Sequence, residues 1–318
     1  MNIKKIRTFG LALLCGAVVF ASSKTGMAKE VPINTDLSKT TTSGISLSED
    51  NNIEEIMEED LSYEVSPACI STTGLNVRSD ASTDSEILGT VTPGFKFEKL
   101  GDYGDWDKIL YYGREAYVHN DYTNDTYMVK GTPISVLYSS SEVNFIDKET
   151  NKNKILNPYV VMFVYGSDQD RLLVYADGRL GYVENREYNT LDGTYTIVDL
   201  SDQRIDLYKD NELLYSSPVV TGKDGMETSI GCYPVWYEKH NDYLKGPGYS
   251  VYVRNFYAFC GGQGLHDADW RSSFGSEEYH SGGSHGCVNL PKETGDIISE
   301  YFEEAQKREE KPKVFVMS

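Results

Sequence analysis

Basic side chains are scarce in this chain, where 30 Lys and Arg stand against 49 Asp and Glu over 318 residues, a formal charge of −19. That balance excludes nucleic acid as a partner, because phosphate binding needs clustered Lys and Arg that release counterions. It disfavours an anionic membrane surface for the same reason. Only 10 prolines accompany 28 glycines, so the chain is neither collagen-like nor a disordered low-complexity polymer. Cysteine is sparse and odd in number, 5 in all, which gives no disulfide framework. The apolar run from about Phe9 to Ala21 is too short to span roughly 30 Å of hydrocarbon. What is present is 39% hydrophobic residues and 24 Tyr, the composition of a strand-rich globular protein with room for a sizeable core. At this length two or three domains are expected, since single cores stop growing near about 250–300 residues.

Lys4, Lys5 and Arg7 precede the short apolar run, and small residues follow at Ala21-Ser22-Ser23 and Gly26-Met27-Ala28. Residues 1–28 therefore read as a secretory signal peptide, with an uncleaved anchor as the alternative. Its removal takes away four positive charges and no acid, leaving −23 on an exported chain. Residues 29–66 carry ten acids against two lysines and few aromatics, and read as a solvated acidic linker. A short exposed helix around Glu54 to Asp60 is the other reading of its acidic cluster.

Two segments after the linker resemble one another. Gly113-Arg114-Glu115-Ala116-Tyr117-Val118 closes the first and Gly178-Arg179-Leu180-Gly181-Tyr182-Val183 the second, 65 residues apart. The shared Gly-Arg-x-x-Tyr-Val endings suggest a duplicated small domain. Between them lie short runs of β-branched and aromatic residues, such as Val160 to Tyr165 and Leu172 to Tyr175, which predict small antiparallel barrels. With Leu75-Asn76-Val77-Arg78-Ser79 and Gly104-Asp105-Trp106-Asp107-Lys108, the first copy (67–125) resembles a bacterial SH3 domain. The second (126–190) is a more diverged copy. That resemblance implies a targeting role at the cell wall, beside which a purely structural spacer stands as the alternative.

Residues 191–318 hold the chemistry. Thr194 to Leu200 and Arg204 to Tyr208 alternate like half-buried strands, while Ile297, Ile298, Tyr301, Phe302 and Ala305 fall on one helical face after Pro291. The informative stretch is Gly282-Gly283-Ser284-His285-Gly286-Cys287-Val288-Asn289. A cysteine attacks only as thiolate, so Cys287 needs a base or a positive field. His266, His280 and His285 are the nearby candidates. Glycines around the thiol allow backbone amides, those of Gly286 and Cys287, to approach a reacting carbonyl as an oxyanion hole.

The region resembles an L,D-transpeptidase catalytic domain of the YkuD type. The matching residues are Val198 to Gln203, Pro218-Val219-Val220-Thr221-Gly222-Lys223, Gly264-Leu265-His266-Asp267-Ala268-Asp269-Trp270-Arg271, and the stretch from Gly282 to Pro291. His266 and Ser284 are separated by 17 residues, and Ser-His-Gly-Cys-Val-Asn follows. The resemblance implies Cys287 as nucleophile and His266 as its base, with the Asp267 carbonyl orienting that base. It also implies that His285 and the Gly286 and Cys287 amides shape the oxyanion site, with Ser284 and Asn289 supporting the loop. The chain departs from the family at Thr228-Ser229-Ile230-Gly231, where Thr-Pro is usual, and in carrying Cys260 just before the base.

Trp270 and Arg271 are candidates to line the substrate groove, the arginine pairing a peptide carboxylate; a core position for the tryptophan is the alternative. His119, His240 and His280 read as surface or structural. Zinc held by Cys232, Cys260, His266 and Cys287 lacks the usual short spacings, so neither metal nor cofactor is expected. Whether Cys232 pairs with Cys260 stays open. The expected architecture is mostly β, two small SH3-like barrels followed by a YkuD-type β-sandwich with a helix near the C-terminus. The expected protein is a monomeric, secreted, wall-associated bacterial enzyme that joins peptidoglycan stem peptides, donor and acceptor, into 3-3 cross-links with release of D-Ala. An L,D-carboxypeptidase using water and a non-catalytic wall-binding protein are the alternatives. Family resemblance further implies acylation by carbapenems.

Overall fold

The computed structural model describes residues 63–246, 249–275 and 279–318. The expected signal peptide and nearly all of the expected linker lie outside them. The linker ends earlier than its composition suggests, because Glu64–Ser71 is already a strand. Eight of its residues pair with Thr123–Lys130, register Glu64 to Lys130.

The described residues are mostly β, arranged in four sheets with one long helix. The first sheet holds seven strands from Glu64–Ser71 to Thr123–Lys130. Counted along the chain, they lie side by side in the order three, two, six, five, four, one, seven. The second sheet, from Ser135–Tyr138 to Asn189–Leu191, repeats that order strand for strand. The Gly-Arg-x-x-Tyr-Val endings are the sixth strand of each, Arg114–His119 and Arg179–Glu184. Each follows a tight turn with two positive φ values, Tyr112 (46°) and Gly113 (77°) in the first, Asp177 (47°) and Gly178 (73°) in the second. Turns of this handedness match the twist of a hairpin. The two modules run to Lys130 and Leu191 rather than 125 and 190, since each closing strand is recruited by pairing with the module's distant first strand.

Alternating side chains fill separate cores. Cys69, Val77, Phe97 and Ile109 are fully buried in the first module, and Phe145, Met162 and Val174 in the second. A further cluster joins Val136, Val161 and Leu191 of the second module to Tyr195, Ile197, Tyr208 and Phe315 of the catalytic region. The first module is tied in by polar contacts. Thr92 Oγ1 donates to the Ser201 carbonyl at 2.7 Å, and Lys96 Nζ donates to the Gly178 carbonyl at 3.0 Å.

Residues 191–318 contain a five-stranded sheet, in spatial order Glu212–Pro218, Arg204–Lys209, Thr194–Asp199, Lys313–Met317 and Gly231–Pro234. Its central strand, Thr194–Asp199, is buried at all six positions. The second sheet runs Tyr237–Gly246, Tyr249–Cys260, Gln263–Asp267 and Val288–Leu290. The helix Lys292–Lys307 buries Ile298, Phe302 and Ala305, the face its spacing predicts. That face packs on Val198, Leu265, Val288 and Val314, so one core supports both sheets.

Candidate active site

Strand register brings the candidate residues together. Lys239, Phe256, His266 and Asn289 are successive cross-strand partners and so share one face of the four-stranded sheet. Cys287 lies two residues before Asn289 and one before the strand Val288–Leu290, in line with Gly264. With strands about 4.8 Å apart and two residues spanning about 6.6 Å, the Cys287 and His266 backbones stand diagonally about 8 Å apart. Their side chains point the same way across that diagonal. Gly264, beside the thiol, has no room for a side chain: an added Cβ would lie 2.4 Å from the Phe256 ring.

His266 is 5% exposed, and its Nδ1 lies 2.9 Å from the Asp267 carbonyl oxygen. A carbonyl can only accept, so the proton sits on Nδ1 and Nε2 carries the lone pair. Burial pushes the imidazole below its ordinary value and keeps it neutral. The Asp267 carboxylate accepts the Arg254 and Asn255 amides at 2.9 and 2.8 Å, which fixes the strand that carries His266. Burial raises the Cys287 thiol above the usual cysteine value, opposed by an amide hydrogen bond from Gly264. The resting pair is therefore a neutral thiol beside a neutral imidazole.

The loop before Cys287 is braced by hydrogen bonds. Ser284 Oγ donates to the Cys287 carbonyl at 2.6 Å and accepts the Gly286 amide at 2.9 Å. The Ser284 amide donates to the Thr221 carbonyl at 2.9 Å, and Asn289 and Val220 exchange backbone bonds of 2.8 and 3.0 Å. Thr221 is held in turn by Gln203, whose Oε1 accepts its amide at 2.9 Å. Thr228 and Gln263 complete the brace. Thr228 Oγ1 donates to the Gly286 carbonyl and accepts the Gly222 amide, both at 3.0 Å. Gln263 Oε1 accepts the Ser229 amide at 2.9 Å. The one sequence signal for Thr228 is its place in the segment that departs from the Thr-Pro pattern; Gln263 has none.

Gly286 has φ 107°, and an added Cβ would lie 2.5 Å from Gln263 Nε2. Gly286→Ala is expected to cost about 1–3 kcal/mol of stability and to disorder the thiol, measured by thermal unfolding and by thiol alkylation rate.

The Gly286 amide is spent on Ser284 Oγ, so the oxyanion reading rests on the Cys287 amide. Arg271 donates from its guanidinium to the Gly282 carbonyl and so clamps the Cys287 loop. Trp270 is 49% exposed with its ring 5.8 Å from that of His266, so it is no core residue. His285 is exposed and stacks on Tyr249 at 5.9 Å. Asn289 is buried, and its Oδ1 has no hydrogen-bond partner among the described residues. A cavity of about 430 Å³ reaches Cys287, walled by Lys239, Tyr243, Lys245, Tyr249 and Phe256 of the long hairpin.

Cys69, Cys232, Cys260 and Cys287 are all free thiols. The pairing left open for Cys232 and Cys260 is not made, because Cys232 packs in the cluster around Phe315 and Cys260 in the one around Tyr257. Burial pushes the Cys69 thiol up to about 12 and leaves it inert. Among the described residues no group of three or more His, Cys, Asp or Glu is placed to hold a metal ion.

Residues 193–305 match the L,D-transpeptidase catalytic domain model of the YkuD family. The solution structure of the catalytic domain from an Enterococcus faecium L,D-transpeptidase is 30% identical, over 40% of this chain and 98% of that one, with a TM-score of 0.33. The chain belongs to the YkuD-type L,D-transpeptidases. Residues 73–124 match a bacterial SH3 domain. A crystal structure of an Enterococcus faecium L,D-transpeptidase, a cysteine-to-serine mutant, is also 30% identical, covering 40% of this chain and 50% of that one at a TM-score of 0.34. An L,D-transpeptidase from Stackebrandtia nassauensis is 24% identical, over 40% and 56% of the two chains, at a TM-score of 0.33. The chain thus spans about half the length of these two relatives. No curated protein matches it.

Proposed function

We propose that this protein is an exported, wall-associated cysteine L,D-transpeptidase that forms 3-3 cross-links between peptidoglycan stems. The observation that carries the reading is the diagonal placement of Cys287 across from His266, whose lone pair is fixed on Nε2 by the Asp267 carbonyl. In the first half-reaction the Cys287 thiol gives its proton to His266 Nε2. The sulfur then adds to the carbonyl of the third residue of a tetrapeptide donor. The C–N bond to the terminal D-Ala breaks, and the imidazolium protonates the departing amine. In the second, His266 takes a proton from an acceptor amine that attacks the thioester, and the sulfur leaves as thiol. The Cys287 amide is placed to receive the oxyanion in both steps.

The test is to incubate the enzyme with a disaccharide-tetrapeptide and to follow products by mass spectrometry. Loss of D-Ala with a cross-linked dimer supports the reading, loss of D-Ala with the tripeptide alone means hydrolysis, and no reaction removes it. One relative is described as acylated by ertapenem. The same covalent mass is expected here on Cys287, and an adduct on Cys260 would overturn the choice of nucleophile.

The two shifts also set a pH dependence. Folding lowers the His266 value and raises that of Cys287. The base therefore stays unprotonated below pH about 6.5, and the thiol keeps its proton above about 8.5. A plot of kcat/KM against pH is expected to be flat between these values, falling only outside them. A maximum confined near pH 7 would contradict the neutral pair.

A further inference from the structure

A second cavity, of about 540 Å³, lies where both small modules meet the catalytic sheet, and it shares no lining residue with the one at Cys287. Its size is that of small-molecule sites, which favour domain junctions. Rings form its walls: Phe95 and Tyr112 from the first module, Phe163 and Tyr175 from the second, and Tyr208 from the catalytic sheet.

Its charged side chains are already engaged. Arg204 pairs with Asp202 and Asp206 at 2.9 and 3.1 Å, and Lys130 pairs with Glu98. Lys96 Nζ has its three protons directed to the Tyr127 carbonyl, the Tyr175 hydroxyl and the Gly178 carbonyl at 3.0 to 3.1 Å. A charged ligand would have to break these contacts to reach a countercharge. A wholly apolar one would cover these polar groups without bonding them. The combination suits a neutral ligand with flat C–H faces for the rings and hydroxyls for the carboxylates and for Asn211, which also lines the cavity.

Tyr112 adds an independent observation. It holds φ 46° at the turn position where the repeat has Asp177 at 47°. Asp and Asn tolerate that conformation, whereas a bulky aromatic is strained in it. The position nevertheless carries a ring on the cavity wall, packed edge-on against Phe95 and Tyr111. Leu110 and Leu213, also in the lining, stay 37% and 51% exposed.

We propose that this junction cavity is a saccharide-binding site for a neutral oligosaccharide. The test is calorimetric titration of the chain with the β-1,4 tetramer of N-acetylglucosamine and, separately, with cellotetraose. One-site binding is expected. Preference for the first probe assigns an amino-sugar glycan strand, and equal or better binding of the second assigns a plain glucan. Tyr112→Asn is expected to weaken binding at least tenfold while the protein stays folded at the titration temperature, because Asn suits the turn. Phe163→Leu is expected to weaken it as well. The Cys287→Ala protein binds as the parent does, so failure of this site and failure of the acyl-transfer reading are separately visible. No heat with either probe at millimolar concentration, or unchanged affinity in both variants, overturns the proposal.

Discussion

Replacement of Cys287 by alanine is expected to lower turnover of a tetrapeptide donor by roughly 10⁴-fold or more, the scale seen when a covalent nucleophile is removed. Nothing beside it can substitute. Ser284 Oγ is engaged twice within its own loop, and Cys260 packs in the core around Tyr257. The fold should be indifferent to the change, since Cys287 is only half-buried and sits at the mouth of a cavity. His266→Gln is expected to cost roughly 10²–10⁴-fold, the usual worth of a general base. The decisive comparison is single-turnover release of D-Ala by the parent and the two variants at matched thermal stability. Comparable rates in the parent and Cys287→Ala would mean that the chemistry lies elsewhere.

Arg204→Met should cost about 3 kcal/mol, the low end of what breaking a buried ion pair costs, because Arg204 is partly open to solvent. Its removal strands Asp206, which is buried, together with Asp202. It also takes a guanidinium from above the Phe95 ring, 5.8 Å away, one of the contacts that seat the first module on the catalytic region. The loss should depend on pH. Burial raises the Asp202 carboxyl to about 7 even with Arg204 present, so folding favours its protonated form. Stability from such a group is present at low pH and is lost as pH rises through the folded value. The variant should therefore be closer to the parent at pH 5 than at pH 8, measured as the shift in urea midpoint. An equal shift at both would show that the carboxylates are not the groups left uncompensated.

Much of the site was legible because it is local. The run from Ser284 to Asn289 and the distant His266 stand out by residue type and spacing, and the helix after Pro291 shows its period plainly. What stayed hidden depends on contacts between residues far apart in the chain. The brace from Thr228 to Gly286 joins positions separated by 58 residues, and no periodicity reports it. The commitment of the Gly286 amide was missed for a different reason, since a serine two residues before a glycine reads equally well as support or as solvent-facing. The long hairpin that walls the Cys287 cavity was also invisible, its polar and aromatic alternation lacking any chemical signature. The duplication was visible in two sixth strands, and only pairing showed that all seven strands repeat their order.

The three modules are joined side by side as well as end to end. Besides the backbone at 131–134 and 192–193, the first module is tied through Thr92 to Ser201 and through Lys96 to Gly178. Tyr127 accepts the Leu180 amide at 2.8 Å, and Tyr138 of the second module rests on Phe315 at 5.0 Å. A pull on the first module therefore reaches the catalytic sheet by several routes in parallel. Tension divides among them, and no short connection carries the whole load before the side-chain ties give way. A ligand held at the small modules would therefore be coupled stiffly to the loop that carries Cys287, with little slack between them.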